Sequence, residues 1–236
     1  MYNIYKGMMY LLIFLLILPI KVFSFENDKI NFGKFLLHKY EVTINEFNNY
    51  TIKNQIITEA EKNGGGYEWG AGWVKRDNWN FKTPYGKKPD SVLEPAVHLS
   101  RFEAENYCKS INGRLPTFDE WSYAAYTQIF VSNKFYKNKT YKFPSGDIAK
   151  EMNSQGLLNY DKHVDVTTLP EGINGLVAMG GNVWEWVDDQ EKNNSLTAGS
   201  SWWYGGSKTS INGAQYKPCL LYTSPSPRDA HESRMP

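Results

Sequence analysis

Val183-Trp184-Glu185-Trp186-Val187, in the segment after Gly175, is the stretch on which the fold is read. It reads as a short strand. Residues two apart share one face of a strand, so Trp184 and Trp186 are either both core or both surface. A second strand-like piece follows at Ser201-Trp202-Trp203-Tyr204, where the adjacent tryptophans should point to opposite faces. Upstream, three helix starts carry capping boxes, Thr43-Ile44-Asn45-Glu46, Ser100-Arg101-Phe102-Glu103 and Thr117-Phe118-Asp119-Glu120. Ile44, Phe47 and Tyr50 follow the first at helical spacing, and Ala104, Tyr107, Cys108 and Ile111 follow the second. Trp121, Ala124 and Ala125 form the apolar face of the third, and Gly113 sits where a helix-ending glycine belongs. Between these elements the chain is irregular. The fold class is α+β: two or three helices on a small, twisted antiparallel sheet, with long loops. Loops of that length in a compact domain are functional or ion-stapled.

The composition narrows the function. The chain has 236 residues, with 26 Lys and Arg against 25 Asp and Glu, and a net charge of +1. A general nucleic-acid binder needs a basic surplus to neutralise phosphates, so no nucleic-acid partner is expected. The alternation of Lys134, Lys137, Lys139 and Lys142 with aromatic residues reads as a solvated loop. Eight tryptophans and sixteen tyrosines point to loops packed around aromatic anchors. Two cysteines exclude a disulfide-stapled scaffold and any cysteine-built metal cluster. Cys108 lies on an apolar helix face and reads as a small buried hydrophobe. His38, His98 and His163 have no ligand spacing and read as structural or surface residues.

Residues 1–24 read as a signal peptide: Lys6 leads, Met8 to Ile20 is uninterruptedly apolar, and Val22-Phe23-Ser24 offers a cleavage site. The apolar run is shorter than the roughly 20 residues of a spanning helix. The expected location is periplasmic or extracellular, with no stable membrane span after cleavage. The other end changes character. Residues 219–236 have no periodicity and three prolines, and look non-native. The expected domain is therefore 25–218, truncated at its C-terminus.

Several blocks resemble one family in order. Tyr40-Glu41-Val42-Thr43, Glu94-Pro95-Ala96-Val97-His98-Leu99-Ser100, Gly113-Arg114-Leu115-Pro116-Thr117 with Glu120-Trp121, Gly175-Leu176 through Val187, and Ala198-Gly199-Ser200-Ser201-Trp202-Trp203-Tyr204-Gly205 are similar to the motifs of the formylglycine-generating enzyme, or sulfatase-modifying factor, family. The resemblance covers about residues 35–217 and implies a C-type-lectin-like fold with bound calcium. Enzymes of that family use copper and oxygen to convert a sulfatase cysteine to formylglycine, through a pair of active-site cysteines. The two cysteine positions fall here near Trp203 and Lys208, so no catalytic residue is assigned and copper is not expected as a cofactor.

The family's calcium ligands match Gly181, Val183 and Glu185, while a further ligand position falls on Ala178, which has no side-chain oxygen. Asn153 and Asp161 are candidates for a second calcium site. Trp202, Trp203 and Tyr204 are the binding-cleft candidates. The functional expectation is an exported domain without cysteine-oxidase activity, serving as a binding or accessory module for a peptide, glycan or partner protein. The alternatives are a sulfatase-maturing oxidoreductase, another activity on the same scaffold, or a calcium-dependent lectin-like binder.

Overall fold

The computed structural model describes residues 28–69, 72–130, 138–150, 152–154, 157–158, 160–191, 194–218 and 231–232. The expected signal peptide and Lys134 to Lys137 lie outside them. All three expected helices form, as α1 (Ile44–Asn54), α3 (Arg101–Ser110) and α4 (Phe118–Tyr126). In each, the N-cap hydroxyl accepts the third helical N–H while the Glu at that position reaches back to the N-cap N–H. A cap of this kind contributes about 1 kcal/mol. A fourth helix, α2 (Glu59–Lys62), opens with the same reciprocal bonds between Thr58 and Glu61. Asn112, at φ 61°, takes the left-handed position after α3 that had been expected of Gly113.

Among the described residues the strands make three small antiparallel sheets. β1 (Lys29–Asn31), β2 (Phe35–His38) and β8 (His231–Glu232) form one, in the order β1-β2-β8. β3 (Gly65–Trp69) and β4 (Trp73–Asp77) make a hairpin, and β5 (Glu185–Glu191), β6 (Asn194–Ala198) and β7 (Gln215–Pro218) the third sheet, in that order. β8 comes from the segment 219–236 that the sequence reading had set outside the domain. The strand expected over 183–187 begins only at Glu185 and runs on to Glu191. The strand expected over Ser201–Tyr204 is a turn, closed by the Tyr204 N–H donating to the Ser201 carbonyl at 3.1 Å. Ser200, at φ 73°, takes the chain out of extended geometry just after β6, so the opposite-face rule does not apply to Trp202 and Trp203.

β5 joins two apolar clusters because its successive side chains alternate. Trp186 packs with Ala104, Cys108 and Leu115, and its indole N–H donates to the Leu99 carbonyl at 3.1 Å. Glu185 turns the other way and accepts the Trp121 indole N–H at 2.6 Å. Trp121 belongs to the main cluster, with Phe35, Leu37, Leu176, Met179 and Val187. Trp184 and Trp186 are both buried, and so is Cys108.

The loops between these elements converge on Asn182, which is fully buried at φ 56°. Its amide nitrogen donates to Glu41 Oε2 at 2.5 Å and to the Val164 carbonyl at 3.3 Å. Its amide oxygen accepts from Asn153 Nδ2 at 3.0 Å and the Val164 N–H at 2.9 Å. Its own N–H donates to the Asn153 carbonyl at 2.6 Å, and its carbonyl accepts the Trp202 N–H at 3.1 Å. Gly181 beside it has no room for a side chain: a Cβ there would stand 2.2 Å from the Asn153 carbonyl oxygen.

Asn182→Asp tests this junction. Aspartate tolerates the same backbone angle, but it replaces a donor by a second anion against Glu41. The expected loss is at least about 3 kcal/mol, read from the midpoint of a urea melt at neutral pH. Part of it should return in acid, where the carboxyl pair can hold a proton.

Candidate functional site

The turn after β6 carries the cleft candidates. Its shape is held from below by the Asn182 carbonyl on the Trp202 N–H and by the Ser154 hydroxyl, which donates to the Tyr204 carbonyl. Trp203 is 55% exposed, and its ring meets the ring of half-buried Trp202 edge-on at 5.4 Å between centroids. Trp202 in turn stands edge-on to Tyr85 at 6.4 Å, and Tyr85 to Trp79 at 5.5 Å. Tyr204 packs edge-on against Trp184 at 5.4 Å, and the Lys217 ammonium lies over the opposite partner of that contact, 3.9 Å from the Trp184 ring centre. An aromatic band thus runs from exposed Trp203 inward, built from segments far apart in the chain.

Behind Tyr85 lies a hydrogen-bonded polar chain. The Tyr85 hydroxyl is 2.9 Å from His163 Nδ1, and it also accepts the His163 backbone N–H at 3.2 Å. His163 Nε2 is 3.0 Å from Glu94 Oε2. The other carboxylate oxygen accepts the N–H groups of Asp90 and Ser91, at 2.9 and 3.1 Å. A carboxylate only accepts, so His163 carries its proton on Nε2, and Nδ1 accepts from the Tyr85 hydroxyl.

Full burial pushes the His163 pKa below its usual 6.5, against the pull of Glu94. Burial acts to raise the Glu94 carboxyl, but the His163 and Ser91 hydrogen bonds outweigh it and hold the carboxyl below the usual range. Burial pushes the Tyr85 phenol up. At neutral pH the set is a phenol, a neutral imidazole and a carboxylate. Sequence reading missed it, because Tyr85 and Glu94 precede His163 by 78 and 69 residues and no local spacing joins them.

The expected calcium ligands share one neighbourhood in part. Glu185 is fully buried on the Trp121 indole. The carbonyl oxygens of Met179 and Val183 lie 3.2 and 3.8 Å from where a Cβ on Gly199 would stand, with Trp121 at 3.4 Å. One carboxylate with nearby carbonyls is the kind of oxygen set that calcium uses. Ala178, buried at φ 59°, adds no side-chain oxygen. Among the described residues no three His, Cys, Asp or Glu side chains gather as a metal-binding group. Asn153 is fully buried, its amide nitrogen also donating to the Lys162 carbonyl at 3.0 Å, whereas Asp161 is exposed. Of the two residues near which the family's cysteine positions are expected, Trp203 is exposed and Lys208 is half-buried in a short 3-10 turn, Gly206–Thr209.

The polar chain makes stability pH-dependent. A depressed His163 pKa means that the unfolded state binds its proton first, so stability is full above about pH 6.5 and falls as the pH drops below it. The lowered Glu94 carboxyl adds a loss of the same sign at lower pH. His163→Gln is expected to flatten the loss between pH 6.5 and 5, in thermal melts across pH.

Residues 23–235 match the family described as "Sulfatase-modifying factor enzyme 1-like domain". The chain is 33% identical over 143 residues to the bovine (Bos taurus) "Inactive C-alpha-formylglycine-generating enzyme 2", covering 55% of this chain and 46% of that protein. It is 28% identical over 192 residues to the mouse (Mus musculus) "Formylglycine-generating enzyme", covering 66% of this chain and 49% of that protein. The chain thus spans about half the length of these relatives. Among solved structures it is similar to PvdO from Pseudomonas aeruginosa, with a TM-score of 0.60 at 20% identity over 84% of this chain and 80% of that one. CarF gives 0.57 at 15% identity, over 84% and 86%. The ordered motifs, the small sheets around capped helices and the match along nearly the whole sequence agree: the chain belongs to the sulfatase-modifying factor enzyme 1-like domain family.

Proposed function

We propose that this chain is an exported member of the family that has no cysteine-oxidase activity and binds a peptide, glycan or partner protein at the Trp202–Tyr204 turn. The observation that carries the reading is that residues 198–217, where the resemblance implies the family's cysteine pair near Trp203 and Lys208, contain no cysteine and supply no thiolate. Two soft thiolates suit Cu(I), and an indole and an ammonium do not replace them. A large exposed indole backed by a second one is instead a contact surface, since buried tryptophans at an interface contribute much of the binding energy. The relative named inactive shows that family membership and the inactive name occur together.

Two measurements test this. Incubated with copper, oxygen and a peptide carrying a sulfatase-type cysteine, the protein should leave the thiol mass unchanged; conversion to an aldehyde would overturn the reading. In a glycan and peptide panel followed by tryptophan fluorescence, Trp203→Ala should weaken whatever binds by about tenfold or more, equivalent to about 1.4 kcal/mol.

Calcium at Glu185, with the carbonyls of Gly181 and Val183, is part of the same reading. A chelator should then lower the melting temperature, and calcium should restore it by mass action. Ala178→Asp adds an oxygen at a backbone angle that aspartate adopts readily. It should enlarge the calcium-dependent shift, and no shift in either protein would remove calcium from the proposal.

A further inference from the structure

Tyr85 combines three features whose joint presence the binding reading does not use. Its hydroxyl donates to His163 Nδ1 at 2.9 Å, and His163 Nε2 is held on Glu94 at 3.0 Å. Its ring touches Trp202, 6.4 Å away between centroids, and Trp202 touches Trp203 at 5.4 Å. Trp203 is open to solvent, while Glu94 and His163 are 3% and 2% exposed.

We propose that Tyr85 is a redox-active tyrosine, connected to the surface by the Trp202–Trp203 pair and to a proton acceptor by His163. Indole and phenol are, with the thiol, the side chains most readily oxidised by loss of one electron. Rings in contact exchange an electron quickly, so a hole created on Trp203 passes to Trp202 and then to Tyr85. A phenol that loses an electron becomes a strong acid, and a charged radical is costly where water is excluded. The proton must therefore leave as the electron does.

The geometry supplies its destination. A one-electron oxidant at the surface, such as an oxygen-derived radical or an outer-sphere metal complex, takes one electron from Trp203 and is itself reduced. The Trp203 hole is refilled from Trp202, and that of Trp202 from Tyr85. The Tyr85 O–H bond breaks, its proton moves to His163 Nδ1, and a neutral tyrosyl radical remains. His163 becomes an imidazolium whose charge is balanced by the Glu94 carboxylate, the pairing that makes a buried cation tolerable. Reduction of the radical by one electron returns the proton from Nδ1. Nδ1 already faces the Tyr85 hydroxyl at 2.9 Å, with Nε2 held on Glu94, so the proton has its acceptor in place beforehand.

The test uses the full chain and photogenerated ruthenium(III) tris-bipyridine as oxidant, followed by transient absorption and electron paramagnetic resonance. A tryptophan radical should appear first and give way to a neutral tyrosyl radical, more slowly in D2O. Tyr85→Phe should remove the main tyrosyl component and leave the tryptophan radical long-lived. His163→Gln, which can keep a hydrogen bond but cannot take the proton, should do the same. Trp203→Phe changes an exposed ring and does not depend on the fold; it should slow the appearance of the tyrosyl signal. A tyrosyl yield unchanged by Tyr85→Phe would show that the hole ends on another tyrosine and overturn the proposal. So would an unchanged rate in Trp203→Phe, which decides the matter if either buried variant fails to fold.

Discussion

The side chain of Asn182 is the constraint on which the rest of this structure depends. Most of the described residues lie in loops, and a buried loop has N–H and C=O groups that no ladder or helix satisfies. Asn182 answers this with both halves of its amide and both of its peptide groups, tying Glu41, Asn153, Val164 and Trp202 to one point. The left-handed backbone at Asn182 aims these groups, and the absence of a side chain on Gly181 lets the Asn153 carbonyl come close. The aromatic turn is positioned from this junction, because Trp202 begins with the Asn182 carbonyl as its acceptor.

What could be read from the sequence divides along physical lines. Capping boxes are local, so α1, α3 and α4 were legible at their first residues. The Thr58–Glu61 box of α2 had the same signature and was passed over because only one turn of helix follows it. The burial of Trp184 and Trp186 was legible as a choice between two outcomes. The turn at Ser201–Tyr204 was misread as a strand because β-favouring aromatics outweighed the preceding Ser200, a residue type that does not announce the left-handed angle it takes here. The Tyr85–His163–Glu94 chain was not legible at all. His163 was read as structural or surface, and it is indeed buried, but its two partners are brought to it by folding.

The Trp202–Tyr204 turn and the polar chain behind it belong together. On the proposed reading, the turn offers an exposed indole near the position where the resemblance implies a thiolate. The same turn rests on Tyr85, whose hydroxyl is fixed from two sides by His163. A surface that is rigid because its second layer is hydrogen-bonded loses little conformational freedom when it binds, or when it takes up charge. Both proposed uses of the site draw on that rigidity.

The bond between Asn182 and Glu41 has one more consequence. It joins residues 141 positions apart. Closing so long a loop carries an entropic cost that must be met before most of the core contacts exist. The junction cannot assemble until the chain has been made as far as Asn182, so α1 and α3 can pack on each other early, through Phe47, Tyr50 and Tyr107, while the segments that Asn182 ties down must wait for it. Topologies of this kind fold slowly for their size. During that wait the face of α3 that packs on Trp186 and the face of α4 that packs with Val187 are open to solvent, and the protein's yield in a cell depends on how well that interval is shielded from other chains.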